Sequence, residues 1–159
     1  MENIFNKFIE LVNVLNKNNV DYIIIGGLAI NLHGFARNTE DIDIFINPTK
    51  QNVERFRESL LEVFNDNDIN EIKLGELIKY PVIRYGTEYG FSIDVITKIG
   101  EKFLFNDLSY IVKIIDGTEI KYADLETLYK LKEKTYREID QLDLKFIKYK
   151  LNKNADKKN

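Results

Sequence analysis

From Ile4 to Leu15 the apolar residues Ile4, Phe5, Phe8, Ile9, Leu11, Val12 and Leu15 recur at helical spacing between Asn, Lys and Glu, which predicts an amphipathic first helix. The period then changes. "DYIIIGG" is a short β-branched run that stops at Gly26 and Gly27, and "LAINLHG" reads as a short helix ended by Gly34. "IDIFI" predicts a second strand. Pro48 stands near the start of a long helix in which Val53, Phe56, Leu60, Leu61 and Phe64 share a face. Strands alternating with helices imply an α/β core.

The second half adds antiparallel signals. "YPVIRYGTEYGFSIDVIT" reads as two strands joined around Gly86-Thr87, and "YIVKIIDGTEIKY" as a pair turning at Asp116-Gly117. Asp124 is the expected N-cap of a helical segment that continues to the end, with a break near Tyr136 and Arg137. The expected class is therefore α/β (α+β), a mixed β-sheet flanked by helices with further helices at the C-terminus. Residues 1–151 are expected to form a single domain, with 152–159 as a frayed basic tail. Residues 100–107 carry no readable pattern.

Composition narrows the chemistry. There is no cysteine, which excludes disulfides and thiolate metal sites, and His33 is the single histidine. A histidine-based metal site or a Ser-His-Asp triad therefore has little to work with, and His33 reads as a structural residue at a helix end. No stretch has the length of a membrane span and the N-terminus lacks signal-peptide features, so a cytoplasmic protein with no membrane partner is expected. The net charge of −3 is unevenly distributed: residues 1–120 hold 12 Lys and Arg against 19 Asp and Glu, whereas 121–159 hold 11 against 7. An acidic first part attracts cations and a basic last part can approach phosphates. Tyr80, Tyr85, Tyr89 and Phe91 are read as core rather than as a base-stacking platform.

The strand "DIDIFI" carries the sharpest chemical signal. Side chains alternate across a strand, so Asp41 and Asp43 project from one face while Ile42, Ile44 and Ile46 occupy the other. Two carboxylates held so close repel unless a cation lies between them, which suits a hard, oxygen-seeking ion such as Mg²⁺ or Mn²⁺. Asp94 in "FSIDVI" repeats the pattern. Three acids on adjacent strands can hold metal ions that activate an attacking oxygen and steady a leaving pyrophosphate. The competing reading is that Asp-x-Asp arises by chance on a solvated strand edge. Gly26 and Gly27 weigh against it, because backbone free of side chains lets N–H groups approach a phosphate, and Arg37 and Thr39 lie between these glycines and the acids.

The glycine pair after an apolar strand, then "R-x-T-x-D-I-D", then a third acid in a later strand, resembles the nucleotidyltransferase superfamily related to DNA polymerase beta. The match is close over Tyr22 to Ile46 and looser over Phe91 to Ile96. Lys132 to Arg137 reads Lys-x4-Arg and Asp140 to Asp143 reads Asp-x-x-Asp, an arrangement similar to later motifs of the AbiEii-type toxin nucleotidyltransferases of type IV toxin-antitoxin systems. The resemblance implies a nucleotidyltransferase fold. It makes Asp41, Asp43 and Asp94 the catalytic metal ligands, gives nucleotide contacts to Gly26, Gly27, Arg37, Thr39, Lys132 and Arg137, and has Asp140 support the site. This chain departs from the pattern in Leu28, where many members have a hydroxyl residue, and in lacking the extra helical domain of the larger toxins.

The residues leave other readings of the last segment open. Lys132 shares a helical face with Leu125, Leu128 and Tyr129, where its stem could simply run along the core edge. Arg137 could pair with Glu133 on the surface, and Asp140 and Asp143 could form a solvated helix face. The expected function is metal-dependent transfer of a nucleoside monophosphate from an NTP to an acceptor hydroxyl. The favoured acceptor is tRNA or another RNA, with a cognate antitoxin as a further partner. The alternatives are a small-molecule (antibiotic-type) or protein acceptor, or a silent antitoxin or scaffold member.

Overall fold

The computed structural model describes residues 3–101, 103–133 and 138–158. Helix α1 (Ile4–Lys17) begins where the Asn3 side chain accepts from the Phe5 N–H, and it buries Phe8, Leu11, Val12 and Leu15. Strand β1 (Tyr22–Ile25) is buried throughout and runs directly into α2 (Gly26–Leu32), so the two glycines form the first turn of that helix rather than preceding it. Strand β2 (Asp41–Ile46) alternates as expected: Ile42 and Ile44 are fully buried, and Asp41 and Asp43 are only half-buried on the opposite face. Helix α3 (Lys50–Phe64) is capped by the Thr49 hydroxyl and stopped by Asn65 in the left-handed region.

Between α3 and the next strand, where the sequence pattern signalled no element, lie a 3₁₀ turn (Asn67–Glu71) and a short helix, α4 (Leu74–Lys79). Strands β3 (Val82–Gly86) and β4 (Ser92–Ile96) follow as an antiparallel pair. Strand β5 (Lys98–Ile99) precedes the segment without a readable pattern, which holds its partner strand β6 (Phe103–Leu104) and a 3₁₀ turn. Strands β7 (Tyr110–Ile115) and β8 (Thr118–Ala123) form a hairpin whose turn residues, Asp116 and Gly117, both take positive φ. Helix α5 (Leu125–Lys132) is capped by the Asp124 carboxylate, and α6 runs from Glu138 to Lys158. The expected break at Tyr136 and Arg137 lies outside the described residues.

The six-stranded sheet has the order β3-β4-β2-β1-β8-β7. It is mixed: β2 pairs β4 and β1 pairs β8 in parallel, while the other three pairings are antiparallel. Helices α1 and α3 pack together, and α5 packs on α6. Tyr85 and Phe91 are buried around Phe64, as the pattern implied, but Tyr80 is 57% exposed because it follows α4 toward the edge of the sheet. Among the described residues, no helix is long and apolar enough to cross a membrane.

Candidate active site

The register of the sheet brings the three acids together. Asp43 pairs with Asp94 across the parallel β2–β4 ladder, and Asp41 lies two residues away on the same face of β2. Gly26, with φ of +70°, closes the site from behind. A Cβ there would land on Oδ2 of Asp43, so this carboxylate lies directly against the glycine backbone and only glycine fits both the conformation and the space. At Gly27 a Cβ would come within 2.8 Å of Thr39 Oγ1 and 3.3 Å of Arg37 Cζ. Asn31 of α2 arranges that loop: its Nδ2 donates to Thr39 Oγ1 and its Oδ1 accepts from the Arg37 N–H, each at 3.3 Å. Gly27, Arg37, Thr39 and the two acids of β2 thus form one wall of a cleft of about 320 Å³, which Asp94, Arg84 and Lys132 also line.

The cleft concentrates negative charge. Burial, reinforced by Asp94 and Asp41, pushes the Asp43 carboxyl from its ordinary 3.8 up to about 7. Facing these acids is Arg84, directly opposite Asp94 in the β3–β4 register. Its Nε and Nη2 donate to the two oxygens of Asp94 at 2.9 and 3.1 Å, and Nη2 also reaches Asp41 Oδ2 at 3.4 Å. Sequence reasoning missed Arg84. The signal available was an arginine alternating with Ile83 and Tyr85 on a strand that a turn folds back onto the third acid.

A second charged cluster lies behind the cleft and is buried. Lys132 Nζ donates to Asp140 Oδ1 at 2.7 Å and lies 3.0 Å from Asp143 Oδ2, and Arg37 Nη1 bonds the same Asp143 oxygen. Asp140 and Asp143 are fully buried, so the reading of a solvated helix face is overturned. The cations explain why two carboxylates tolerate that position on α6. Lys132 is therefore more than a stem along the core edge: it ties α5 to α6 while its side chain borders the cleft. Asp143 Oδ1 and Arg37 Nε are buried without a hydrogen-bond partner among the described residues. Arg137, expected at the phosphates, lies outside the described residues.

Among the described residues no three acidic or histidine side chains already converge as a metal-ligand group. The space a cation would take between Asp41 and Asp94 is held by the Arg84 guanidinium. The donors nevertheless suit a hard divalent ion: they are all carboxylate oxygens, and Asp43 has Asp94 and Asp41 beside it.

The family model described as "Nucleotidyltransferase of unknown function (DUF6036)" matches residues 2–76. That span includes Gly26, Gly27, Arg37, Thr39, Asp41 and Asp43, while Asp94, Lys132 and Asp140 lie beyond it. A search of curated proteins finds no match. Three solved structures share the fold. The lincomycin-bound lincosamide antibiotic adenylyltransferase LnuA is 14% identical with a TM-score of 0.57, the comparison covering 90% of this chain and 95% of that one. A candidate nucleotidyltransferase from Thermotoga maritima is 15% identical with a TM-score of 0.56, covering 94% and 92%. ANT(2")-Ia in complex with adenylyl-2"-tobramycin is 15% identical with a TM-score of 0.51, covering 92% and 88%. The mixed sheet flanked by helices is thus a nucleotidyltransferase-like fold.

Proposed function

We propose that this chain is a metal-dependent nucleotidyltransferase, and the observation that carries the reading is the Asp43–Asp94 pairing, with Asp41 beside it, in a cleft that Gly27 lines, and with Gly26 directly against the Asp43 carboxylate. Asp41, Asp43 and Asp94 would hold the divalent ion, Mg²⁺ or Mn²⁺. When bound, it neutralises the triphosphate and makes its α-phosphorus easier to attack. Gly27 leaves room for the Thr39 and Arg37 side chains to pack against its backbone, and these would meet a phosphate in the cleft. Arg37 and Thr39 border the same surface, with Lys132 facing them. The acceptor hydroxyl oxygen bonds to the α-phosphorus, the bond to pyrophosphate breaks, and the Asp94 carboxylate takes the hydroxyl proton.

For the acceptor we favour RNA, because α6 exposes Lys145, Lys148 and Lys153 with Tyr149 among them, a basic face carrying an aromatic ring. The AbiEii-like toxin role, with an antitoxin as partner, belongs to this reading. A small-molecule acceptor is the second reading, supported by the antibiotic adenylyltransferases that share the fold. Incubation with α-labelled NTPs, Mg²⁺ and either total RNA or a panel of hydroxylated antibiotics separates the two. Label in RNA supports the first reading. Label confined to an antibiotic overturns it and establishes the second.

A further inference from the structure

Among the described residues Arg84 is hydrogen-bonded to Asp94 and Asp41, and it stands where a metal would have to go. Both Asp94 oxygens accept from its guanidinium, at 2.9 and 3.1 Å, and Asp41 accepts at 3.4 Å. The other two cations at the cleft, Arg37 and Lys132, bond to the buried carboxylates of α6. Arg84 is held differently. It projects from β3, an edge strand of the sheet, and its side chain is 61% exposed, so it can leave the acids without disturbing the core.

We propose that Arg84 is a displaceable counterion that competes with the divalent cation for Asp94 and Asp41, so that the ion enters with its nucleotide rather than alone. The inference rests on the metal-dependent reading above. An ion bridging Asp41 and Asp94 needs the same oxygens that the guanidinium fork occupies, and an ion arriving alone must break that fork and leave the arginine with water alone as its partner. A nucleotide provides the acceptor. Its phosphates lie in the cleft that Arg84 lines, and a guanidinium matches phosphate oxygens as well as it matches a carboxylate. Metal and nucleotide therefore strengthen each other's binding through Arg84. While Arg84 covers Asp94, that carboxylate is also unable to take a proton from an acceptor, so the same displacement exposes the base.

The test is Mn²⁺ binding measured by electron paramagnetic resonance of the free ion, with no nucleotide and then with ATP. Wild type, Arg84→Gln, Asp94→Asn and the charge control Lys98→Gln are compared, each confirmed as folded by circular dichroism. Removing one charge-assisted fork should tighten binding of Mn²⁺ alone by roughly ten-fold in Arg84→Gln, and shrink the gain that ATP confers. Lys98→Gln should stay close to wild type, because this exposed lysine touches none of the acids. Three outcomes overturn the competition: Arg84→Gln binds Mn²⁺ no tighter than wild type, Lys98→Gln gains as much, or ATP confers an undiminished gain. If Asp94→Asn weakens Mn²⁺ binding in that case, the metal site itself stands. Absence of Mn²⁺ binding in both wild type and Arg84→Gln, with or without ATP, would instead overturn the metal reading and the competition with it.

Discussion

Replacing Asp43 by Asn should stabilise the metal-free protein and abolish its response to metal and nucleotide, two opposite effects of one oxygen-to-amide change. Burial and the neighbouring Asp94 and Asp41 raise the Asp43 carboxyl from 3.8 to about 7. An acid whose folded pKa lies above its unfolded one favours folding fully only below the unfolded value, and that stability is lost as pH rises from about 4 through 7. A shift of that size converts to an upper bound of about 4 kcal/mol at about 1.4 kcal/mol per unit. Screening at the open side of the cleft reduces it to roughly 1–3 kcal/mol. For a chain of this length that is a rise in melting temperature of roughly 2–10 °C at pH 8, shrinking toward zero below pH 5. Differential scanning calorimetry in EDTA from pH 5 to 8.5 measures the difference between variant and wild type, which cancels the titrating groups remote from Asp43. Adding Mg²⁺ and ATP should then raise wild type and leave Asp43→Asn where it was. A difference that does not change with pH would refute the electrostatic reasoning, and an equal response to Mg²⁺ and ATP would refute the ligand role.

Gly26→Ala should lose activity and about 1–3 kcal/mol of stability, read by chemical denaturation, because the new methyl meets the Asp43 carboxylate and the backbone is left-handed there. Lys132→Ala should destabilise by about 3–5 kcal/mol, against less than about 0.5 for the exposed Lys130→Ala, since it strips a cation from two buried carboxylates. Equal small effects in urea unfolding would contradict the buried network. If RNA is the acceptor, Lys145→Glu with Lys148→Glu should flatten the salt dependence of RNA binding by roughly one to two units and leave NTP binding unchanged in filter-binding titrations.

The clustering of the three acids was readable because a strand's own alternation puts Asp41 and Asp43 on one face, and Asp94 repeats the interruption of an apolar run. The glycine pair was readable for a similar reason, being a local signal at the end of a β-branched run. What the sequence hid depends on contacts between elements. Arg84 reaches the acids through the register of β3 against β4, and no spacing within a single strand encodes that register. Asp140 and Asp143 look like surface residues because two acids on a charged helix ordinarily are. Their burial is visible only once Lys132 and Arg37 are placed against them. Helix α4 is six residues long, too short to show a helical period.

The most direct test of metal-dependent nucleotidyl transfer is a comparison of ATP labelled at the α-phosphate with ATP labelled at the γ-phosphate, incubated with the protein, Mg²⁺ and total RNA or the antibiotic panel. The account predicts that α-label enters an acceptor, that γ-label leaves as pyrophosphate, and that EDTA or Asp43→Asn stops both. Transfer of γ-label to the acceptor, or α-label transfer that persists in EDTA or in Asp43→Asn, would contradict it.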